Sequence, residues 1–342
     1  MKKKLNDCVI LFGGNSEERL VSVASAQNIA TVIPEAALWF WTKEGKVHEV
    51  SSSELAEHAD AFTKEFSSKT APKAESLRSG LETLKGKAII IALHGTEGED
   101  GTLQKMLEQM KIPFTGTGAA ASEKAFNKIL TKKIAAENGV NTAPELVIKD
   151  LDPSSIKSLG EFFSEHKKIV LKPLANGSSV GLHIVASTDE LERAIPAIQK
   201  SGYLPYLSEP FITGREITVG VREDSHHQLS PLPCSEVRVI QGRQFDYHGK
   251  YLGSGVEELT PAPLTKEESE ACQKLALKLH SAIGCRGYSR TDMILTEKGP
   301  VLLEINTLPG LSRASFIPQQ LQVAGISVRD FFLEQINLEV RV

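Results

Sequence analysis

Three side chains that carry oxygen ligands lie near the C-terminal end of the sequence: Asp292, Glu304 and Asn306. The residue pattern predicts two strands, residues 289–295 and 301–306, joined by a polar turn. Because side chains alternate along a strand, Glu304 and Asn306 share a face, and the folded hairpin places Asp292 opposite Glu304. Two carboxylates and an amide oxygen at close range need a positive charge between them. Mg²⁺ carrying substrate phosphates meets that need, so we predict a metal site here.

The remaining side chains of the hairpin are expected to divide by the same alternation. Arg290 falls on the face of Asp292 and adds a positive charge there. The opposite, apolar face is expected to carry Met293, Leu295, Val301, Leu303 and Ile305. The alternative is a solvated hairpin face, on which acidic residues are common. The amide of Asn306 and the tight turn that follows it favour the metal site, because binding groups are often placed where strands end.

Composition limits the class of protein and its compartment. The 342 residues are 41% hydrophobic, enough for two or three domains with their own cores, and the net charge is −4. This balance argues against a nucleic-acid partner or an anionic membrane surface. No apolar run approaches the roughly 20 residues of a membrane span, so we expect no membrane insertion. The cysteines have no metal-ligand spacing and indicate free thiols in a reducing cytoplasm.

The N-terminal part has the pattern of a parallel α/β domain. Apolar residues 8–12 end at a glycine pair before a helix, and a second apolar strand, residues 88–93, ends at the glycine- and acid-rich loop 94–101. Loops at the carboxyl ends of such strands form the usual ligand crevice of an open sheet. Each feature also has an alternative without a ligand. Loop 94–101 would be an ordinary solvent loop, and Glu18, before the first helix, would only interact favourably with the helix dipole.

The middle of the chain combines lysines with a glycine- and serine-rich loop. Residues 119–138 are expected to form one helix, on which Lys128 and Lys132 would by themselves belong to a solvated face. The predicted strand 169–173 carries Lys172 and leads into loop 174–181, whose backbone N–H groups and hydroxyls suit phosphate oxygens. Glycine and serine also build ordinary hairpin turns, so this loop alone is weak support for a phosphate site.

The last third of the chain is expected to hold a lid before its final helices. Residues 236–260 are polar and contain several glycines, and connections of this length are uncommon unless they are functional or disordered. We predict that this segment closes over bound substrates and excludes water. An amphipathic helix over 267–283 and a last helix over 327–338 complete the expected elements.

A series of motifs resembles, in the same order, the D-alanine–D-alanine ligases of the ATP-grasp superfamily: GGNSEERLVS, LHGTEGEDGTLQ, PFTGTG, LKPLANGSSVGL, SEPFITGREITV, FDYHGKY, GCRGYSRTDM and LLEINTLPGLSRASFIP. They cover nearly the whole chain, and their order is far more specific than any one motif. The resemblance implies an α/β, three-domain ATP-grasp fold: a Rossmann-like parallel-sheet domain at 1–118, a central domain at 119–212 and a C-terminal domain at 213–342. ATP would lie between the second and third domains.

The resemblance also implies roles for individual residues in binding ATP and metal. Two Mg²⁺ or Mn²⁺ ions would bind Asp292, Glu304 and Asn306. The phosphates would be held by Lys128, Lys172, Lys250 and the loop Gly177-Ser178-Ser179. Adenine and ribose would be held by Glu209, Phe211, Ile212 and Glu216.

For the amino-acid substrates, the resemblance implies that Glu18 binds the ammonium group of the first D-alanine. Val21 and His94 would lie near its side chain, and Ser315, followed by Phe316, would take the second carboxylate. The guanidinium of Arg290 and the amide of Gly310 would stabilise the oxyanion. Glu18, Ser178 and Tyr251 would form the polar link that latches the lid.

The activity implied is the ATP-dependent joining of two D-alanines through an acyl phosphate, in the cytoplasm, for peptidoglycan precursor synthesis. Homodimers are common in the family. The sequence departs from the family pattern at Leu20, Asn127, Asn176, Pro210 and Phe316. Two alternatives stay open. One is a ligase for a different second substrate, such as a D-hydroxy acid or another amino acid, against which Tyr251 argues. The other is a nucleotide-binding protein without turnover.

Overall fold

The computed structural model describes residues 3–174, 180–239 and 256–338. Within these ranges the chain forms three β-sheets with helices packed against each. The expected sites at Gly177, Ser178, Ser179, Lys250 and Tyr251 lie outside the described residues, as does the departure at Asn176.

The first sheet consists of β1 (Cys8–Gly13), β2 (Ala37–Trp41), β3 (Val47–Val50) and β4 (Ala88–Ile91), after a short 3₁₀ turn at Leu5–Asp7. The strand order is β3-β2-β1-β4, and β1 runs parallel to β2 and β4. Every residue of β1 is buried, as in a central strand covered on both faces. The helices of this region are α1 (Arg19–Val32), α2 (Ser52–Ala56), α3 (Leu77–Glu82) and α4 (Thr102–Gln109).

The second sheet is antiparallel and follows two short helices, α5 (Ala119–Phe126) and α6 (Lys128–Glu137). Its strands are β5 (Leu146–Ile148), β6 (Ile169–Pro173), β7 (His183–Val185) and β8 (Tyr206–Pro210), in the order β5-β8-β6-β7. Helices α7 (Pro153–His166) and α8 (Thr188–Ser201) pack against this sheet.

The third sheet carries the predicted metal hairpin. Its strands are β9 (Arg215–Glu223), β10 (Leu229–Pro231), β11 (Ser235–Val239), β12 (Val256–Leu259), β13 (Tyr288–Thr296) and β14 (Gly299–Asn306). The order is β12-β11-β9-β13-β14, with β10 paired to β9. The amphipathic helix α9 (Lys266–Ile283) buries Leu275 and Leu279 against this sheet. Helices α10 (Phe316–Val323) and α11 (Val328–Gln335) end the described chain.

The hydrophobic cores join different parts of the chain. One core joins the first sheet and α1 to the third sheet and the last helices, through residues such as Ile10, Ile29, Tyr288 and Phe331. Another packs α5 and α6 onto the third sheet and α9. The core of the second sheet, by contrast, is made only of buried residues from Ile148 to Tyr206. The first and third sheets therefore share an interior, while the second sheet has its own.

The prediction of one continuous helix over 119–138 is wrong. Asn127 has an extended backbone between α5 and α6, and its side chain accepts the N–H of Leu130 at 3.1 Å as the N-cap of α6. The short asparagine side chain can replace a backbone carbonyl as the acceptor for a free N–H at a helix start, so Asn127 favours the beginning of a new helix over the continuation of α5.

The expected apolar face of the hairpin is also partly wrong. Met293, Leu295 and Ile305 are in the core, but Leu302 is buried there in place of Val301 and Leu303. The register shifts by one residue after Asp292, so that Asp292 pairs with Glu304 while Met293 pairs with Leu302. Such a bulge adds a residue to one strand and reverses the alternation beyond it.

The predicted lid begins and ends in regular structure. Residues 236–239 of β11 pair with residues 256–259 of β12 in an antiparallel ladder. These residues belong to the third sheet, so the boundaries 236 and 260 are wrong for a lid; residues 240–255 lie outside the described chain. In the described ranges no helix is long and apolar enough to cross a membrane.

A buried histidine supports the strand that carries the predicted metal ligands. His280 on α9 is fully buried, and its Nδ1 lies 2.7 Å from the hydroxyl oxygen of Ser289 on β13. Burial lowers the pKa of His280 to about 4 from an ordinary value of 6.5. The imidazole is therefore neutral in the folded protein at pH values at which the unfolded chain already binds a proton.

We expect the free energy of unfolding to decrease as pH falls from about 6.5 towards 4, because only the unfolded state takes up the His280 proton in that window. His280→Gln should have a weaker pH dependence over the same range. Chemical denaturation at a series of pH values measures this, with the exposed His226→Gln as the control that keeps the wild-type dependence. Parallel pH profiles for wild type and His280→Gln would contradict the assignment.

Candidate active site

The hairpin brings the predicted metal face together as expected. Asp292 pairs with Glu304 and Arg290 pairs with Asn306, which confirms the predicted cross-strand neighbours. Arg290 donates to both oxygens of Asp292, from Nε at 2.9 Å and from a terminal nitrogen at 2.6 Å. The Nδ2 of Asn306 donates to Asp292 at 3.1 Å, and the hydroxyl of Thr218 on β9 donates to the same carboxylate. Asp292 is thus oriented from three strands.

The oxygen atoms of this face fit a hard divalent cation that also binds substrate phosphates. Carboxylate and amide oxygens are the ligands that Mg²⁺ prefers, and Mg²⁺ is commonly held by one or two carboxylates together with phosphate oxygens. In the described part of the chain no group of three or more acidic, histidine or cysteine side chains could hold a metal ion. The predicted set has two carboxylates, Asp292 and Glu304, and its third member is the amide of Asn306.

Lys128 lies at the start of α6 and faces this hairpin. Its ammonium is 3.9 Å from a carboxylate oxygen of Glu304, and its side chain is only 11% exposed. Burial lowers the pKa of Lys128, while the charge of Glu304 acts in the opposite direction. A largely buried ammonium beside the proposed metal ligands is well placed to hold a phosphate group.

A second ionic cluster links α6 to the second sheet. Glu209 on β8 lies 2.5 Å from the ammonium groups of both Lys132 and Lys172, and Lys132 also contacts Glu145 at 2.5 Å. Burial alone would raise the pKa of Glu209, but Lys172 and Lys132 outweigh it and hold the pKa below its ordinary value. The cluster joins two residues of the expected ATP site, Lys172 and Glu209.

The expectation that Lys132 belongs to a solvated face is wrong, since the residue is only 4% exposed. The sequence contains a signal that could have found it. Lys132 lies four residues after Lys128, so both side chains project from the same side of α6. The chain reversal that brings Glu209 to that side has no local signal.

The residues expected to hold adenine and ribose lie where β8 ends and β9 begins. Phe211 and Ile212 follow Pro210, and Glu216 is the second residue of β9; all three are half-buried. The ammonium of Lys168 lies 3.6 Å from the centre of the Phe211 ring, and the N–H of Phe211 donates to the carbonyl of Lys168. This cation–π contact, absent from the sequence-based expectations, fixes the ring where the central strands β8 and β6 end and begin.

Glu18 and the loop 94–101 meet at the carboxyl ends of β1 and β4. A β-carbon on Gly95, whose φ is +71°, would lie 3.0 Å from a carboxylate oxygen of Glu18. Glu18 precedes α1 and makes no capping hydrogen bond with its side chain. The hydroxyl of Tyr203, before β8, donates to neighbouring Glu17 at 2.8 Å. The segment that precedes α1 therefore contacts loop 94–101 through Glu18 and the second sheet region through Glu17.

Glu99 is a further residue of this crevice that the sequence did not single out. Its carboxylate accepts the N–H of Gly95 at 3.0 Å. The pKa of Glu99 is raised to about 8. Burial is the largest cause, and the nearby charge of Glu18 is the next. The carboxyl group of Glu99 therefore holds its proton more strongly than an ordinary glutamate does.

The remaining residues expected at the substrates lie in two different environments. Val21 and His94 are buried, at 1% and 4% exposure, and both ring nitrogens of His94 contact protein atoms. Gly310, Ser315 and Phe316 follow β14; a β-carbon on Gly310 would be 2.6 Å from the Ser315 hydroxyl oxygen. The Arg290 guanidinium lies 5.9 Å from the centre of the Phe316 ring. The structure thus brings Arg290 close to Phe316, one of the five residues that depart from the family pattern.

Comparisons with known proteins identify the family of the chain. The family model described as D-ala D-ala ligase N-terminus matches residues 7–117, and the one described as D-ala D-ala ligase C-terminus matches residues 137–337. The D-alanine–D-alanine ligase of Leptospira interrogans is 32% identical over 349 residues, covering 97% of each chain. The chain belongs to the D-alanine–D-alanine ligase family.

Solved structures of ligases agree with this membership. The D-alanyl-alanine synthetase A of Vibrio cholerae has a TM-score of 0.78 and 28% identity, covering 96% of each chain. The chain therefore has the ATP-grasp fold of these ligases. The VanG D-Ala:D-Ser ligase of Enterococcus faecalis has the same TM-score, 0.78, at 24% identity and 96% coverage of this chain, and shows a shared fold.

The buried Lys132 cluster leads to a prediction about stability. Lys132→Met should lower the free energy of unfolding by about 3 kcal/mol, the low end for breaking a buried ion pair, because Glu145 loses this cation and Glu209 keeps only Lys172. Lys133→Met is the matched control: the neighbouring lysine is exposed, and its replacement should change stability by less than about 0.5 kcal/mol. Denaturant unfolding of both variants measures the difference. Equal effects of the two substitutions would show that the cluster contributes nothing.

Proposed function

We propose that this protein is an ADP-forming ligase that joins two D-alanines into D-alanyl-D-alanine, for peptidoglycan precursor synthesis. The observation that carries the proposal is the match of both family models, which together span residues 7–337 apart from a short gap. Within that frame, two lysines and an acidic hairpin converge, as phosphoryl transfer requires. We propose the domain boundaries 118 and 212, a cytoplasmic location and, from the family resemblance alone, a homodimer.

In the proposed reaction ATP phosphorylates the carboxylate of the first D-alanine, and the amine of the second attacks the acyl phosphate. Phosphate then leaves from a tetrahedral intermediate. Lys128 and Lys172 bind the phosphate groups, and their position in largely buried surroundings strengthens that attraction. Glu209, Phe211, Ile212 and Glu216 hold adenine and ribose. None of these steps needs a nucleophile from the protein.

Asp292, Glu304 and Asn306 are the residues proposed to hold two Mg²⁺ or Mn²⁺ ions. When bound, the ions offset the charge that develops on the transferring phosphoryl group. The protein supplies the orientation of its own ligands. Arg290, Thr218 and Asn306 hold Asp292, while Lys128 lies beside Glu304.

The amino-acid substrates are proposed to bind between the first sheet and the hairpin. Glu18 takes the ammonium of the first D-alanine, and Ser315 takes the carboxylate of the second. The Arg290 guanidinium and the Gly310 N–H stabilise the oxyanion, because fixed donors lose little on reorganisation when charge develops. Asp292 already fixes the plane of the Arg290 guanidinium through two hydrogen bonds, so this donor is preorganised.

A second candidate is a ligase whose second substrate is not D-alanine. The observation that favours it is Phe316, which lies against Arg290 where the second substrate is proposed to bind. The VanG ligase, whose title names D-serine, shares the fold, so the fold itself does not set the second substrate.

The test of function is ADP release with a panel of D- and L-amino acids and D-lactate, with the product identified by mass. We expect ADP release with D-alanine alone and a product of the mass of D-alanyl-D-alanine. A strong preference for a mixed product would favour the second candidate. ATP binding without ADP release under any condition would identify a nucleotide-binding protein without turnover.

The proposed metal ligands give a prediction about turnover. Glu304→Gln should keep the fold but lower kcat by about 10²-fold, the scale of losing one electrostatic contact to the reacting group. A neutral amide cannot offset the charge of a cation as a carboxylate does. Glu297→Gln makes the same chemical change in the exposed turn of the same hairpin and should leave kcat unchanged. Near-wild-type turnover of Glu304→Gln at saturating Mg²⁺ would remove Glu304 from the metal site.

A further inference from the structure

A chain of buried hydrogen bonds connects α1 and β4 to the turn that contains Gly310. The Nδ1 atom of His94 lies 2.8 Å from the carbonyl oxygen of Leu308, and its Nε2 lies 2.8 Å from the hydroxyl oxygen of Ser25. The N–H of Leu311 donates to the same Ser25 oxygen at 3.2 Å. Leu308 and Leu311 lie on either side of Gly310, so two points of the turn are held from the first sheet region.

The direction of each hydrogen bond follows from the chemistry of its atoms. A carbonyl oxygen can only accept, so Nδ1 of His94 carries the proton that Leu308 accepts. In the neutral ring Nε2 is then an acceptor, and the Ser25 hydroxyl donates to it. The Ser25 oxygen remains available to accept from Leu311. One tautomer of His94 therefore satisfies the hydrogen bonds to Leu308 and Ser25 and leaves the Ser25 oxygen free to accept from Leu311.

The backbone of His94 extends the same chain to Glu18. The Ser16 hydroxyl donates to the His94 carbonyl at 2.6 Å, and the N–H of Glu18 donates to the Ser16 oxygen at 3.2 Å. The backbone of His94 thus contacts the segment that holds Glu18, the proposed ammonium ligand. Its ring contacts the turn that holds Gly310, the proposed oxyanion donor. In the proposed reaction Glu18 and the Gly310 N–H act on the first D-alanine, at its ammonium group and at its reacting carboxyl carbon.

We propose that His94 and Ser25 are positioning residues that set the Gly310 N–H relative to Glu18. His94 acts on the turn rather than on a substrate side chain, because its ring is only 4% exposed and both of its nitrogens are engaged. The catalytic part of this inference rests on the proposed ligase function, whereas the structural part does not. A misplacement of about 1 Å in a catalytic group can lower a rate by roughly 10²-fold, so small shifts of the turn matter.

The effect of losing Ser25 is limited by a second contact from the same helix. The side-chain amide of Asn28 donates to the carbonyl of Leu311 at 2.7 Å. Ser25→Ala should therefore loosen the turn without detaching it. We expect kcat to fall by at least about 10-fold, less than the full loss of an oxyanion donor, while the KM for ATP stays unchanged.

The experiment combines hydrogen–deuterium exchange with kinetics on four full-length variants: Ser25→Ala, His94→Gln, the double variant and Ser22→Ala. Ser22 is the matched control, because it is also a buried serine on α1 and its hydroxyl oxygen accepts the N–H of Gly13 instead. Exchange in the peptide containing Leu311 should accelerate roughly 5- to 10-fold in Ser25→Ala and His94→Gln. It should not change in Ser22→Ala, whose kcat should also be that of wild type.

The double variant separates a shared role from general destabilisation. If the two residues act through one chain, its loss in kcat should be no larger than that of the more severe single variant. The proposal would be overturned if the kcat losses of the two single variants multiplied in the double variant. Wild-type exchange rates in both single variants would overturn it as well. Faster exchange with unchanged kcat would also overturn it, because the turn would then not need this position. A wild-type protein without ligase turnover would defeat the proposed function, while the exchange data would still judge the hydrogen-bond chain.

Discussion

The pairing of β13 with β9 on one side and β14 on the other determines where most charged groups of the site lie. In this ladder Thr218, Asp292 and Glu304 form one row across three strands. Arg290 and Asn306 belong to the next row on the same face, two residues along. A change of register by one residue would turn this set of side chains to the apolar side. The helix α9 prevents such a change, since it packs against the opposite face.

The charges of the site are compensated within the protein before any substrate binds. Arg290 is paired with Asp292, and Glu209 with Lys132 and Lys172. Leaving any of these ions alone in a largely buried place would cost several kcal/mol. Their mutual pairing allows the polar crevice to exist in a stable fold. It also means that phosphate groups enter a site whose cations already have partners, so binding exchanges ionic contacts instead of only adding them.

The sequence allowed the prediction of those features that depend on short-range periodicity. Alternation along two adjacent strands was enough to place Asp292 opposite Glu304, and ordered motifs were enough to indicate the family. The bulge beside Asp292 was not predictable in this way, because a single extra residue leaves the local composition unchanged while it exchanges Leu303 for Leu302 in the core. The break at Asn127 had a local cause, a capping side chain, which a lysine-rich helical pattern on both sides obscured.

Contacts between distant segments had no signal in the sequence. The ring of His94 is held by Leu308, 214 residues away, and by Ser25, 69 residues away. Lys132 is held by Glu209, 77 residues away. Each of these residues is ordinary in its local context. Only the arrangement of the sheets shows that His94 contacts the turn beyond β14 and that Lys132 contacts Glu209 of the proposed ATP site.

The separate core of the second sheet has a consequence for how the molecule comes apart. The first and third sheets share buried side chains, so they should lose structure together, as one cooperative unit. Among the residues that the structure describes, the second sheet shares no buried hydrophobic cluster with them. Its contacts with its surroundings include the Lys132–Glu209 ion pair and the Tyr203–Glu17 hydrogen bond. It should therefore be able to tilt or open with a smaller loss of buried hydrophobic contact than a separation of the first and third sheets. Because Lys172 and Glu209 lie on it, such a motion would carry a residue proposed to hold phosphate together with one proposed to hold the base and ribose.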